Sequence, residues 1–228
     1  MTINGLPAGL WINVGCGPSV ADGWVGVDGS WQAIFAGRPR LAAVAGRVVR
    51  RSLGQWPAGI VKSDLRNPLP FADASAAVVY SSHTIEHLHR DEAVHAMMEM
   101  RRVLKAGGVC RVVVPDVQAI VRWYLEKANS PEPDAASDQL MSQMLLRPRA
   151  HASGGGLLGW YRRVTDFDNH KWMYDQAGLL RLFRDAGFRW PECRGPFESV
   201  IDRARLAEVE RADRVVDGAG VCAEAIKD

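Results

Sequence analysis

The sequence predicts an α/β fold built on a mainly parallel sheet. Short apolar runs alternate with amphipathic helical stretches through most of its 228 residues. Runs such as Ala76–Tyr80 and Val109–Val114 are apolar throughout, as strands covered on both faces are. The runs end on Gly, Asp, Ser or Pro, residues that turn a chain.

The elements follow in order. Leu10–Val14 and Trp24–Val27 read as the first two strands. Residues 30–58 carry an Arg-rich, weakly helical stretch from Arg38 to Arg51. Ile60–Ser63 reads as a third strand closing on Asp64, and Pro68 and Pro70 mark the loop beyond it. Ala76–Tyr80 is the fourth strand. Asp91–Lys105 has the clearest helical pattern, with Ala93, Met97, Met100 and Leu104 on one face and Val94 and Met98 beside them. Asp91 and Glu92 in its first turn, and Arg101, Arg102 and Lys105 in its last, suit the helix dipole. Gly107 or Gly108 supplies the stop. Val109–Val114 is a fifth strand, ended by Pro115. Asp116 is placed to cap a helix with apolar positions Val117, Ile120, Val121, Tyr124 and Leu125.

Regularity then breaks. A polar loop, Asn129–Asp138, leads to a short apolar helix, Leu140–Leu146, and a glycine-rich stretch, His151–Gly159. Residues 129–172 read as an inserted cap within one domain spanning 1–228. A helix resumes over Asp175–Ala186, with Leu179, Leu182 and Phe183 inward and Gly187 as its stop. Phe188–Cys193 and Val221–Ile226 are candidate final strands.

Composition narrows the function classes. With 47% hydrophobic and 24% charged residues, the chain can build a core without staples. A net charge of +2 is too small to imply nucleic acid, and none is expected as a partner. Cys16, Cys110, Cys193 and Cys222 form no C-x-x-C pair, which suits reduced thiols and a cytoplasmic location. The first residues lack the basic and apolar regions of a secretion signal. No apolar run approaches the roughly 20 residues of a membrane span.

Residues 12–28 carry the strongest functional signal. One strand ends in Gly15-Cys16-Gly17 and the next ends in Asp28. Glycine lets a ligand approach the backbone, and a carboxylate at the second strand end can accept both hydroxyls of a ribose. The pairing predicts a nucleoside-containing ligand; a bare strand–turn–strand is the plainer reading. A nicotinamide dinucleotide is disfavoured. Val20 stands where G-x-G-x-x-G needs glycine, and Asp28 lies only 11 residues past Gly17 where roughly 20 are expected.

Taken together, Val14–Gly17, Gly26–Asp28, Ser63–Leu65, Leu69–Asp73, Val78–Leu88 and Arg102–Gly108 resemble the class I S-adenosylmethionine-dependent methyltransferases, and within them a shortened, type 11-like subgroup. The resemblance implies a Rossmann-like seven-stranded sheet of order 3-2-1-4-5-7-6, with Val221–Ile226 antiparallel. It implies S-adenosylmethionine as cofactor and S-adenosylhomocysteine as product, with no metal expected. Gly15, Cys16 and Gly17 would line the methionine and ribose portion, Asp28 would take the ribose hydroxyls, and Asp64 and Leu65 would bracket the adenine. Ser81, Ser82 and His83 would border the methionine end. Two features depart from the family pattern: Ser19 replaces a third glycine, and Pro18–Gly23 replaces most of the first helix.

His83-Thr-Ile-Glu-His87 formally matches H-x-x-E-H, a zinc-peptidase signature that needs a long helix and a third ligand. Here the run follows a strand directly, and the plainer reading is that Glu86 and His87 pin a loop. Candidate general bases for a hydroxyl acceptor are His83, His87, His151 and His170. His170 is favoured because Asp166 and Asp168 precede it and could orient its ring. Trp160, Tyr161, Trp172 and Tyr174 offer flat faces for a saccharide or pack the cap down. Arg38–Arg51, with Leu41, Val44 and Val48 on one side, either contacts an anionic or lipid-linked substrate at a membrane surface or is a solvated helix face. The expected activity is methylation, at oxygen, of a small molecule or saccharide. A non-catalytic partner subunit and a zinc hydrolase built on His83 and His87 are the alternatives.

Overall fold

The computed structural model describes residues 6–49, 56–130, 136–145 and 169–228. Its strands are β1 (Leu10–Val14), β2 (Val25–Asp28), β3 (Val61–Lys62), β4 (Ala76–Ser82), β5 (Leu104–Pro115), β6 (Glu192–Arg194) and β7 (Gly220–Ile226). Helices among the described residues are α1 (Pro39–Val49), α2 (Arg90–Val103), α3 (Val117–Ala128), α4 (Ala136–Gln143), α5 (Gln176–Asp185), α6 (Arg203–Ala207) and α7 (Ala212–Val215). Single 3-10 turns cover Trp31–Phe35 and Ile85–His87. The sheet runs β3-β2-β1-β4-β5-β7-β6, in the expected order. β3, β2, β1, β4 and β5 are parallel to one another. β7 is antiparallel to both β5 and β6.

Strand alternation divides the core in two. Ile12, Val14, Val79, Cys110, Val112 and Val114 face α2 and α5, packing with Ala93, Met97, Met100, Leu179, Leu182 and Phe183. Trp11, Val78, Tyr80, Val109, Val113 and Cys222 face the other way, against Ile201, Leu206 and Val215. β4, at the centre, is buried at all its positions, which is why its sequence shows no polar alternation.

Several predicted boundaries move. The helix expected over Asp91–Lys105 ends at Val103, because Leu104 turns extended and starts β5. Ala96 and Val103 complete its buried face, whereas Met98 is 49% exposed. Gly107 and Gly108 therefore do not stop a helix; they lie in a bend of β5, and a Cβ on Gly108 would stand 3.0 Å from the Ala77 carbonyl oxygen. Asp116 caps α3 as expected, accepting from the Gln118 N–H. The short helix predicted over Leu140–Leu146 instead spans Ala136–Gln143. Asp175 caps α5 through the Gly178 N–H. Of the predicted cap, His151–Gly159, Trp160, Tyr161, Asp166 and Asp168 lie outside the described residues, as do Arg50 and Arg51. Tyr174 is buried and Trp172 half-exposed. Among the described residues no helix is long and apolar enough to cross a membrane.

The segment between β6 and β7 has no forerunner in the sequence reading. A parallel β1–β2 pair ordinarily carries a covering helix in its connection. Here Gly15–Trp24 is too short for one, and α6 and α7 arrive from far down the chain to cover Trp11, Trp24 and Tyr80. Trp11 and Trp24 meet edge to face at 5.2 Å, the Arg205 guanidinium lies 4.4 Å over the Trp11 ring, and Trp24 Nε1 donates to Glu208 Oε2.

One buried charge network holds this cover down. Arg111, alone among apolar β5 neighbours, donates from Nε and Nη2 to the two carboxylate oxygens of Glu210 at 2.7 and 2.8 Å. It also donates to the carbonyls of Glu198 and Gly195. Glu224 on β7 lies 3.5 Å from Nη1 and accepts from the Val200 N–H and the Ser199 hydroxyl. Burial alone would favour loss of the Arg111 proton, but the Glu210 hydrogen bonds and charge hold it on. Glu210→Gln leaves that guanidinium without its counter-charge, and should destabilise the fold by about 3–5 kcal/mol. Urea unfolding should show a midpoint lowered by about 1–2 M at unchanged slope.

Candidate functional site

A cavity of about 660 Å³ opens at the C-terminal ends of β1, β2 and β4, where open α/β sheets bind ligands. Gly15, Cys16 and Gly17 leave β1 into its wall; Asp28, Gly29 and Ser30 leave β2 beside them. Leu65, Ser82, His83, Thr84 and His87 continue the wall, and Glu208, Val209, Arg211 and Arg214 close it from the α6–α7 segment. This volume suits a ligand of nucleoside-cofactor size.

The glycine turn is required by contact as well as by conformation. Gly15 has φ +74°, and a Cβ there would stand 2.0 Å from Thr84 Oγ1. Gly17 has φ +58°, and a Cβ there would meet nothing within 4 Å, so the backbone lies bare to the cavity. The Gly17 N–H donates to Asp28 Oδ2 and the Ser30 N–H to Oδ1, both at 2.8 Å. Asp28 is 8% exposed. Two backbone donors thus fix its carboxylate and leave further lone pairs for hydroxyl donors. These residues fit a ribose-bearing cofactor.

Cys16 lies in the wall but is no nucleophile. Burial, and then the charge of Asp28, push its thiol up to about 12, so it stays protonated at neutral pH. Leu65 is buried in the wall. Asp64 lies outside the wall, paired with Arg66 at 2.6 Å. Partial burial opposes ionisation of Asp64, but the Arg66 hydrogen bonds outweigh it and hold the carboxyl below its usual value. Ser82 is in the wall, whereas Ser81 is fully buried behind it, since successive strand residues point to opposite faces.

The histidines converge. His83 leaves β4 with φ +51°, and its N–H donates to the Val113 carbonyl. Its Nε2 lies 3.2 Å from the Arg214 carbonyl oxygen. A carbonyl only accepts, so Nε2 carries the proton and Nδ1 is left as acceptor. His87 Nδ1 lies 3.2 Å from the Asn169 carbonyl oxygen and donates by the same argument. His170 is buried beside His87, with ring centroids 4.9 Å apart at 68°, and lies outside the cavity wall. Glu86 lies between, fully buried, with Oε1 3.8 Å from both His83 Nδ1 and His170 Nε2. Burial pushes the Glu86 carboxyl up to about 8. Burial likewise pulls His83 and His170 down to about 4, the neighbouring histidines adding to the effect. Both imidazoles are neutral at pH 7.

His83 precedes a 3-10 turn that contains His87, so the two do not share the long helix of a zinc peptidase. His151 lies outside the described residues. Thr84, Glu208, Val209, Arg211 and Arg214 were absent from the sequence reading. The last four come from α7 and the connection that precedes it, a stretch rich in Arg and acids, a pattern that a solvated surface also gives.

Residues 12–112 match a protein-family model described as a methyltransferase domain. A methyltransferase by name from Encephalitozoon cuniculi (strain GB-M1) is 32% identical over 136 residues, covering 58% of this chain and 52% of that protein. The chain thus spans about half the length of that curated relative. Among solved structures, an S-adenosylmethionine-dependent methyltransferase of Thermotoga maritima is similar at TM-score 0.49 and 20% identity, covering 98% of this chain and 84% of that one. The Haloferax volcanii complex of the Trm112 methyltransferase activator with a methyltransferase gives a TM-score of 0.48 at 16% identity, covering 97% and 85%. Residues 12–112 thus match a methyltransferase domain, and the sheet has the order that the resemblance to class I S-adenosylmethionine-dependent methyltransferases implies.

Proposed function

We propose that the chain transfers the methyl group of S-adenosylmethionine to an oxygen of a small molecule or saccharide. The observation that carries this reading is the cavity itself, a bare glycine turn held against the Asp28 carboxylate and opening toward His83 and His87. When bound, the cofactor supplies an electrophilic methyl on a sulfonium. Gly15, Cys16 and Gly17 would hold its methionine and ribose portion, and Asp28 would accept the ribose hydroxyls. Leu65 would cover the adenine, with Asp64 at its edge. Ser82 and His83 would border the methionine end, with Ser81 behind them.

The chain's own part is positioning and proton handling. His83 presents an unprotonated Nδ1, while Arg214 holds its other nitrogen. It is thereby oriented to take the proton of an acceptor hydroxyl. His87 shares the wall, and His170 orients it from behind. Exposed Arg38 just before α1, and Arg40 and Arg47 on it, beside exposed Leu41 and Val44, would favour an anionic or lipid-linked acceptor presented at a membrane surface. A cytoplasmic location fits the free cysteines.

Calorimetric titration with S-adenosylmethionine and S-adenosylhomocysteine tests the reading. Micromolar binding is expected, weakened about 10–100-fold in Asp28→Ala as the ribose hydroxyls lose a charged acceptor. Binding indifferent to Asp28→Ala, or none by the folded protein, would overturn it and favour the non-catalytic partner subunit. Gly15→Ala should displace Thr84 and strain a positive φ. It should cost about 1–3 kcal/mol, and a lowered Tm of about 3–10 °C together with lost cofactor binding would show it.

A further inference from the structure

We infer that Glu86, His87 and His170 form a binding site for a divalent transition-metal ion beside the proposed methyl-transfer cavity. One ligand atom from each of the three lies within 4.8 Å of the others. This differs from the sequence reading, which expected no metal.

Three observations carry the inference. Both carboxylate oxygens of Glu86 are fully buried and, among the described residues, accept no hydrogen bond of acceptable geometry. The N–H groups of Thr84 and of Glu86 itself lie close enough to oppose part of the rise in its pKa, but neither meets that geometry. Burying polar oxygens without partners costs a few kcal/mol, and a cation between them and the imidazoles would remove that cost. The cluster is also built rather than accidental. The N–H groups of Lys171 and Trp172 both donate to the Glu86 carbonyl, at 2.8 and 3.1 Å, fastening the His170 segment to the Ile85–His87 turn. Finally, His87 Nδ1 donates to the Asn169 carbonyl, which places the ring's lone pair on Nε2.

The donor set selects the ion class. Two imidazoles and one carboxylate suit zinc, manganese, iron or cobalt rather than calcium or magnesium. Ligands about 2.0–2.1 Å from a tetrahedral ion lie roughly 3.3–3.4 Å apart. The 3.8 Å between Glu86 Oε1 and His170 Nε2 therefore closes with a shift of a few tenths of an ångström. Three protein ligands leave a position open, as catalytic sites do. His87 is in the cavity wall, so that position lies toward the cavity and suits an acceptor oxygen. This last role rests on the methyltransferase reading; the site itself does not.

The test is titration of the metal-stripped full chain with Co²⁺ by visible absorption and with Zn²⁺ by calorimetry. One equivalent of tightly bound Co²⁺ is expected. Affinity should fall at least about 100-fold in Glu86→Gln and in His170→Gln, each checked for folding by its thermal transition. His95→Gln, an exposed histidine on α2, should bind as the wild type does. No uptake by the wild type, or uptake unchanged in both cluster variants, would overturn the site. S-adenosylhomocysteine titration, run in parallel, separates the two readings. Cofactor binding without Co²⁺ uptake sinks the metal site alone, and Co²⁺ uptake without cofactor binding upholds it while sinking the proposed activity.

Discussion

Everything at the open face of this sheet depends on one buried ion pair. Arg111 sits at the middle of a core strand, where any other long polar side chain would be costly. Its guanidinium spends its donors on Glu210 and on the Glu198 and Gly195 carbonyls, and Glu224 adds a second carboxylate nearby. Two oxygens of one carboxylate matched to two parallel donors give direction as well as attraction. That direction places residues 195–216 over Trp11, Trp24 and Tyr80, and so places Glu208, Val209, Arg211 and Arg214 in the cavity wall. An apolar replacement could stabilise the same core, but without directional bonds it would not dictate where the cover lies.

The cover compensates for a short connection. Gly15–Trp24 is too brief to carry a helix across β1 and β2, and the exposed flank of two tryptophans would otherwise face water. Leu206 and Ile201 fill that place from the C-terminal side. The arrangement ties cofactor-side geometry to distant sequence: Arg214 accepts the His83 proton at its carbonyl and donates from Nη1 toward the Ser82 carbonyl. Cover and cavity wall are therefore joined through Arg214.

The titratable groups divide by environment. Asp28 is held by backbone donors at the mouth of the sheet, where hydroxyl ligands would find it. Glu86, a few residues past β4, is enclosed, and burial outweighs the nearby Thr84 and Glu86 N–H groups and pushes it toward its neutral form. Two carboxylates thus meet opposite environments, one held by backbone donors at the cavity wall and the other enclosed among histidines.

How much of this was legible can be argued residue by residue. Local rules were enough for β1, β4, Asp116, Asp175 and the Gly15–Gly17 turn with Asp28, because each depends on its own neighbours: apolar runs, side chains that reach their own backbone, a turn without Cβ. They failed where an element ended by meeting another, as when Leu104 left α2 to start β5 and pair with Ala76 of β4. The H-x-x-E-H run was visible, but its third histidine lies 84 residues past Glu86 in the chain. By itself the sequence determined the α/β class, the strand order that a family resemblance implied and the pairing of a glycine turn with Asp28, since these arise from short-range pattern and the order of motifs. Only the tertiary structure decided that α6 and α7 roof the cavity, that Ser81 is hidden behind Ser82, and that His170 meets Glu86. Those contacts join segments far apart in sequence, and sheet pairing and one buried arginine, rather than any local preference, bring them together.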